Sequence, residues 1–216
     1  MTSRVEKKFS NSHINIYLLA AGNNRYSKKP CSLWSFGNGK NILKWQIDTF
    51  ERSLSNSKIN IIVGYESQSI VDNQPGHNFL YSPDWDKSGA LHSFLSASNG
   101  YNDHAIVMYG DTVFHPETIQ ELSLVEGDAV IAFDSVWKQR FSGRSPRDIS
   151  IAEILNIQPY GKVEYTGLVK FSRKVMQWLS QRNFNYQSTS TFIDLFSDIA
   201  AEGFKVVPFD VAGAWA

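Results

Sequence analysis

The sequence predicts an α/β fold: a Rossmann-like three-layer sandwich around a mostly parallel, mixed central sheet, with a small insertion on the substrate side. Three observations predict it. Short β-rich runs alternate with longer segments of helical periodicity along the whole chain. Most of those runs are nearly continuous in apolar character, as strands covered on both faces are. The 216 residues, 42% of them hydrophobic, suffice for one substantial core in a single domain over 1–216.

Taken in order, the first strand covers residues 14–19, Ile-Asn-Ile-Tyr-Leu-Leu. Ile42, Leu43, Trp45, Ile47 and Phe50 then recur with helical spacing, ending near Ser53. The second strand is 59–63. A helix over 89–98 follows, with Leu91, Phe94 and Leu95 on one face. Strand 105–109 leads to a helix opened by Pro116, a good first-turn residue, and running to about Leu124. Strand 129–133 comes next. Residues 135–164 break the rhythm with basic, aromatic and turn-forming residues, and read as an acceptor-side insertion over one sheet edge. Strand 168–171, helices over 172–181 and 189–201 (the latter closed by Gly203) and strand 206–209 complete the pattern.

Composition narrows the function. Lys and Arg number 21 against 21 Asp and Glu, which disfavours a nucleic-acid partner held by broad phosphate neutralisation. The single cysteine, Cys31, rules out an intrachain disulfide and a Cys-based zinc cluster. No apolar stretch is long enough to cross a bilayer, and polar residues 1–12 lack the apolar core of a signal peptide. The expectation is a cytoplasmic small-molecule enzyme with no membrane partner, a homo-oligomer remaining open. His13, His77, His92, His104 and His115 have no metal-like spacing.

In a sheet of this kind ligands sit beyond the carboxyl ends of the strands. The first such end is Leu19-Ala20-Ala21-Gly22-Asn23-Asn24-Arg25, followed by Lys28-Lys29-Pro30. Its small residues let a base or phosphate approach the backbone, and the two asparagines tolerate positive φ. Arg25 offers a planar fork for phosphate oxygens and Lys29 a point charge. The other reading is a Gly-Asn-Asn turn beside two solvated lysines.

This loop resembles the signature of the nucleotidyltransferase superfamily that makes nucleoside-diphosphate sugars and CDP-alcohols, L-A-A-G-x-G-x-R, a spacer, then K-P. Leu19, Ala20, Ala21, Gly22, Arg25, Lys29 and Pro30 match. The second glycine is absent, and Asn23-Asn24 is one residue shorter than the usual stretch. Further likenesses follow in family order. Residues 41–47 resemble the second helix, and Ile61-Ile62-Val63-Gly64-Tyr65 the V-x-G-Y strand end. Ser88-Gly89-Ala90-Leu91 resembles the turn against the base, and Tyr109-Gly110-Asp111-Thr112 the G-D metal site. Glu164-Tyr165-Thr166-Gly167-Leu168 resembles the E-F/Y-x-G-L/I strand facing the acceptor; residues 191–195 and 203–206 resemble the last helix and strand.

The resemblance implies transfer of an NMP group, CMP favoured, from an NTP (CTP favoured) to a phosphorylated small alcohol, phosphonate or sugar, with release of pyrophosphate. It implies Arg25, Lys29 and Asp111 as catalytic residues, Asp111 also holding Mg²⁺. Leu19, Ala20, Ala21, Gly22, Asn23, Asn24, Gly64, Ser88 and Gly89 would bind the nucleotide, and Trp137, Glu164 and Gly167 the acceptor. The attacking phosphate oxygen is already anionic, so catalysis reduces to alignment and charge neutralisation. Trp85, Trp137, Tyr160 and Tyr165 are candidates for an aromatic box around a cationic head group, with Asp134 or Glu164 as counter-charge; rings at such spacings also serve as packing. Lys138, Arg140, Arg144 and Arg147 would instead suit an anionic acceptor. A GT-A-type glycosyltransferase is the alternative, although Asp111-Thr112-Val113 lacks the Asp-x-Asp it would normally present. A catalytically impaired nucleotide-binding module is another. The family commonly continues after G-x-W with an acidic E-I/L-D segment carrying a second metal ligand. Gly213-Ala214-Trp215-Ala216 reaches the position just before it, so the expectation is a chain truncated at its C-terminus.

Overall fold

In the computed structural model, strand β1 (Ile14–Ala20) is an interior strand of the sheet, and nearly every side chain along it is buried. Residues 13–23, 28–36, 39–97, 103–141, 144–182 and 186–216 are described. Side chains alternate across a strand, so Ile14, Ile16, Leu18 and Ala20 feed one core while Tyr17 and Leu19 feed the other. Strand β1 pairs in parallel with β2 (Ser57–Val63) on one side and β4 (His104–Tyr109) on the other, while β3 (Asn78–Tyr81) extends the sheet beyond β2. The remaining strands are β5 (Ala129–Asp134), β6 (Ile154–Ile157), β7 (Gly161–Phe171) and β8 (Val206–Asp210). Their order is β3-β2-β1-β4-β7-β5-β8, with β6 also on β7. Among the eight strands every antiparallel pairing involves β7, which runs against β4, β5 and β6.

Helices cover both faces. Helix α1 (Ile42–Ser53) buries Leu43, Ile47 and Phe50 in one core, and its N-cap Asn41 accepts from Lys44 N at 2.7 Å. Ile119 and Leu122 of α4 (Pro116–Leu124) join them. The opposite core takes Leu91 and Phe94 from α3 (Ala90–Ala97), Val175, Met176 and Leu179 from α6 (Arg173–Gln181), and Phe192, Leu195, Phe196 and Ile199 from α7 (Phe192–Ala201). Helix α7 opens with a reciprocal capping box between Thr191 and Asp194. Sheet and two helical layers agree with the expected three-layer α/β fold. No described helix is long and apolar enough to cross a membrane.

Three elements differ from expectation. Helix α2 (Ser67–Asn73) and edge strand β3 are additional, both short and half-exposed. Strand β7 begins at Gly161, seven residues before the expected Leu168, and forms a hairpin with β6. The anomalous 135–164 segment is therefore partly sheet, preceded by a 3-10 turn (Trp137–Phe141) and α5 (Pro146–Ser150).

Candidate active site

A cleft of about 620 Å³ opens over the carboxyl ends of β1 and β4. One wall is the end of β1 and the turn beyond it, Leu19 to Asn23; the facing wall is Tyr109-Gly110-Asp111. Cys31 and Ser32 close one side, while Trp85, Asp86 and the Ser88-Gly89-Ala90 entry to α3 close another. This is where an open α/β sheet presents its ligand site.

Backbone bonds fix both walls. Gly110 N donates to Leu19 O at 3.0 Å, and Tyr65 N to Ala21 O at 3.0 Å, tying the β1 turn to its two neighbours. The glycine at 110 follows from this approach, since a Cβ there would collide with Leu19 O. At Gly22, by contrast, no atom of the described residues lies within 4 Å of a Cβ position, and the residue lines the cleft. Tyr65 Oη donates to Lys28 O at 3.0 Å, anchoring the segment that leads to Lys29 and the buried Pro30. Lys29 itself is exposed. Asn24 and Arg25 lie outside the described residues.

Asp111 follows the last residue of β4 by two positions and is open to the cleft. Its turn is held from below by Gln46 of α1, whose amide donates to Tyr109 O at 2.8 Å and Thr112 O at 2.6 Å. Partial desolvation raises the Asp111 carboxyl above its ordinary value, opposed by its own backbone amide. The same carboxylate, after the larger effect of burial, helps push the Cys31 thiol up to about 11. Among the described residues no three His, Cys, Asp or Glu side chains are grouped to hold a metal ion.

The other predicted residues divide. Ser88 and Gly89 line the cleft. Gly64 does not; a Cβ there would stand 2.5 Å from the Trp85 side chain, so the glycine seats that indole in the cleft wall. Trp85 in turn packs on Tyr65, with centroids 5.4 Å apart.

Trp137, Glu164 and Gly167 do not line the cleft. Trp137 is buried and donates from Nε1 to Lys162 O at 2.9 Å. Glu164, 3% exposed, receives Arg144 at 2.9 and 3.0 Å. Gly167 (φ 76°) makes room for Tyr109, whose ring would lie 2.6 Å from a Cβ. The four rings named for an aromatic box do not meet as one. Tyr165 is core, Tyr160 packs on Phe133 at the surface, and Trp85 stands with Tyr65. Asp134 is fully buried and accepts from Trp215 Nε1 at 2.9 Å. The side chains of Arg140 and Arg147 lie outside the described residues.

Sequence reasoning missed Cys31, Asp86, the Gln46 clamp and, above all, Glu153. Tyr109 Oη donates to Glu153 Oε2 at 2.8 Å, across 44 positions of sequence. Only the β6-β7-β4 pairings bring the two together, and no local pattern announces that.

No family model and no curated protein matches the chain. Solved structures do. A glucose-1-phosphate thymidylyltransferase from Bacillus anthracis, in complex with a sucrose, shares 17% identity at a TM-score of 0.67, over 94% of this chain and 88% of that one. The inositol-1-phosphate CTP transferase of T. maritima shares 17% at 0.65, over 93% and 87%. HddC from Yersinia pseudotuberculosis, solved also with GMP-PN, shares 13% at 0.62, over 94% and 92%. The chain has the NTP-transferase fold.

Proposed function

We propose that the protein is a nucleotidyltransferase that moves an NMP group, CMP favoured, from an NTP to a phosphorylated small alcohol, phosphonate or sugar and releases pyrophosphate. The observation that carries this reading is Asp111. It is a carboxylate open to the cleft on a clamped turn, facing a backbone wall of small residues across a cleft of about 620 Å³. The NTP-transferase fold and the CTP-using neighbour support it. An enzyme that consumes NTPs works where they are made, which agrees with a cytoplasmic protein.

In this mechanism the base lies against Ser88 and Gly89, where the missing side chain exposes backbone groups to a base edge. The backbone around Gly22 receives the phosphates, with Lys29 and Arg25 supplying positive charge. The acceptor oxygen attacks the α-phosphorus as an anion, so no side chain has to remove a proton. Cys31, held as a neutral thiol, is no competing nucleophile. The hard-oxygen donor of Asp111 fits Mg²⁺, which takes few protein ligands and fills its shell with phosphate and water. When bound, that ion supplies charge neutralisation at the transferring phosphoryl group. Asp111 would hold the ion at the cleft end of β4, and Gln46 fixes the turn that carries Asp111.

The test is pyrophosphate release with Mg²⁺, a panel of CTP, UTP, GTP and dTTP, and a panel of phosphorylated acceptors. Pyrophosphate that appears only when an acceptor is present supports the reading. Thermal stabilisation by nucleotide with no pyrophosphate in any combination overturns it in favour of a binding module.

A further inference from the structure

One hydroxyl in the cleft wall is left without a partner. Ser32 is 3% exposed and lines the cleft, and its Oγ finds no hydrogen bond among the described residues. Gln46 Oε1 and Tyr165 Oη are also buried and unpartnered, but neither residue lines the cleft. Serines in helical turns commonly donate to a carbonyl three or four residues back. Ser53, Ser123, Ser180 and Ser197 do so here, at 2.7, 2.6, 2.7 and 3.0 Å. Ser32, in the 3-10 turn Cys31–Leu33, does not. The turn is also pinned, so its backbone is not free to carry the hydroxyl to a partner. Leu33 N donates to Pro30 O at 3.0 Å, Trp34 N to Cys31 O at 2.9 Å, and Ile42 N at the start of α1 to Trp34 O at 3.0 Å. The Leu33 side chain is set in the core with Leu43 and Ile47.

A hydroxyl kept dry and unpaired is unfavourable until something supplies an acceptor. Its place in the cleft decides what that acceptor is. The Cys31 thiol feels the charge of Asp111, so the 3-10 turn and Asp111 are neighbours at one end of the cleft. The Ser88-Gly89 entry to α3 forms a different side. A nucleotide with its base on Ser88-Gly89 therefore brings its phosphates toward Asp111 and Ser32. A serine hydroxyl donates one proton and turns about a single bond to aim it. Its neighbour Cys31, a neutral thiol, adds no negative charge that would repel an anion there.

We propose that Ser32 is a phosphate-binding residue, its hydroxyl donating to a phosphate oxygen of the nucleotide at the Asp111 end of the cleft. That the phosphate belongs to a nucleotide rests on the transferase reading above; the binding hydroxyl itself does not. Lys29, three residues earlier in the chain, supplies charge in that reading, and Ser32 supplies direction.

Calorimetric titration with CTP, tripolyphosphate and cytidine, Mg²⁺ present throughout, tests this on the wild-type protein and on Ser32→Ala. The substitution is expected to weaken CTP and tripolyphosphate by about tenfold or more, the scale of one hydrogen bond to a charged group, and to leave cytidine unchanged. Ser32→Cys, close in shape but a poorer donor, should fall between the two. The melting temperature of the ligand-free Ser32→Ala protein should hold or rise, because the hydroxyl it loses has no protein partner. A serine that only packs the turn would lower it. Unchanged affinity for both phosphate compounds, an equal loss with cytidine, or a lower melting temperature overturns the proposal. Pyrophosphate release is read separately. A phosphate-selective loss with no pyrophosphate from any NTP keeps the role of Ser32 and sinks the transferase reading. Turnover with the same kcat/KM for NTP in both proteins does the reverse.

Discussion

Gln46 holds Asp111 in place without touching it. Its side-chain amide, fully buried in α1, donates to the carbonyls of Tyr109 and Thr112, the residues that bracket Gly110-Asp111. A helix of one layer thereby sets the position of a carboxylate that lines the cleft at the sheet end.

Gln46→Leu keeps the volume and removes both donors, leaving two carbonyls short of partners. The expected loss is about 1–3 kcal/mol in urea unfolding. In a pyrophosphate assay kcat should fall more than the KM for NTP rises, because the turn is left in place but loosened. An unchanged kcat would confine Gln46 to a packing role.

Asp111→Asn should abolish turnover and raise the melting temperature. The folded-state pKa of Asp111 lies above its unfolded value, so the folded chain holds that proton more tightly. Stability from this group is therefore greatest at low pH and falls as pH rises through the folded value. At neutral pH the ionised form is a net cost, which asparagine removes. A lower melting temperature at neutral pH would contradict the raised pKa.

Lys29→Ala is expected to reduce kcat/KM by about 10²–10³-fold, the range for a single electrostatic contact to a charged transition state. Lys29 is exposed, so the unfolding midpoint should stay where it is. An unaltered rate would remove Lys29 from the phosphate site.

Lys170 carries a pH signature far from the cleft. Its ammonium sits in β7 and donates to Ser123 O at 2.9 Å and to Val125 O, at the C-terminal end of α4. Burial, partly opposed by Glu126, lowers its pKa from 10.5 to about 8. Between those two values the unfolded chain binds more protons than the folded one, so stability rises with pH across that window. Lys170→Met should flatten this rise in denaturant titrations. Parallel curves for the two proteins would refute it.

The sequence made the sheet's middle legible, since β1, β2, β4 and β5 are runs of apolar residues buried on both faces. The amphipathic helices α1, α6 and α7 were equally plain. Strand β3 was not, because Asn78-Phe79-Leu80-Tyr81 is four residues long and half-exposed. The early half of β7 was hidden by Lys162 and by Glu164, a charge that is buried only because Arg144 reaches it. In the site, a strand-end aspartate and a small-residue turn are local signals and could be read. Trp137, Glu164 and Gly167 drew notice as acceptor contacts, yet their visible partners are Lys162, Arg144 and the Tyr109 ring. Glu153 was invisible because its partner lies 44 positions away.

Strand β7 also sets an order of assembly. In the sheet β4 and β5 never pair with each other; each pairs only with β7 on its inner side. As the chain leaves the ribosome, β1 to β4 can join as soon as residue 109 is out, since those pairings need nothing later. Strand β5 then has no neighbour until residues 161–171 emerge, and β8 none until β5 is seated. For that interval β4 presents a bare sheet edge, with Asp111 at its tip, to any other strand in reach.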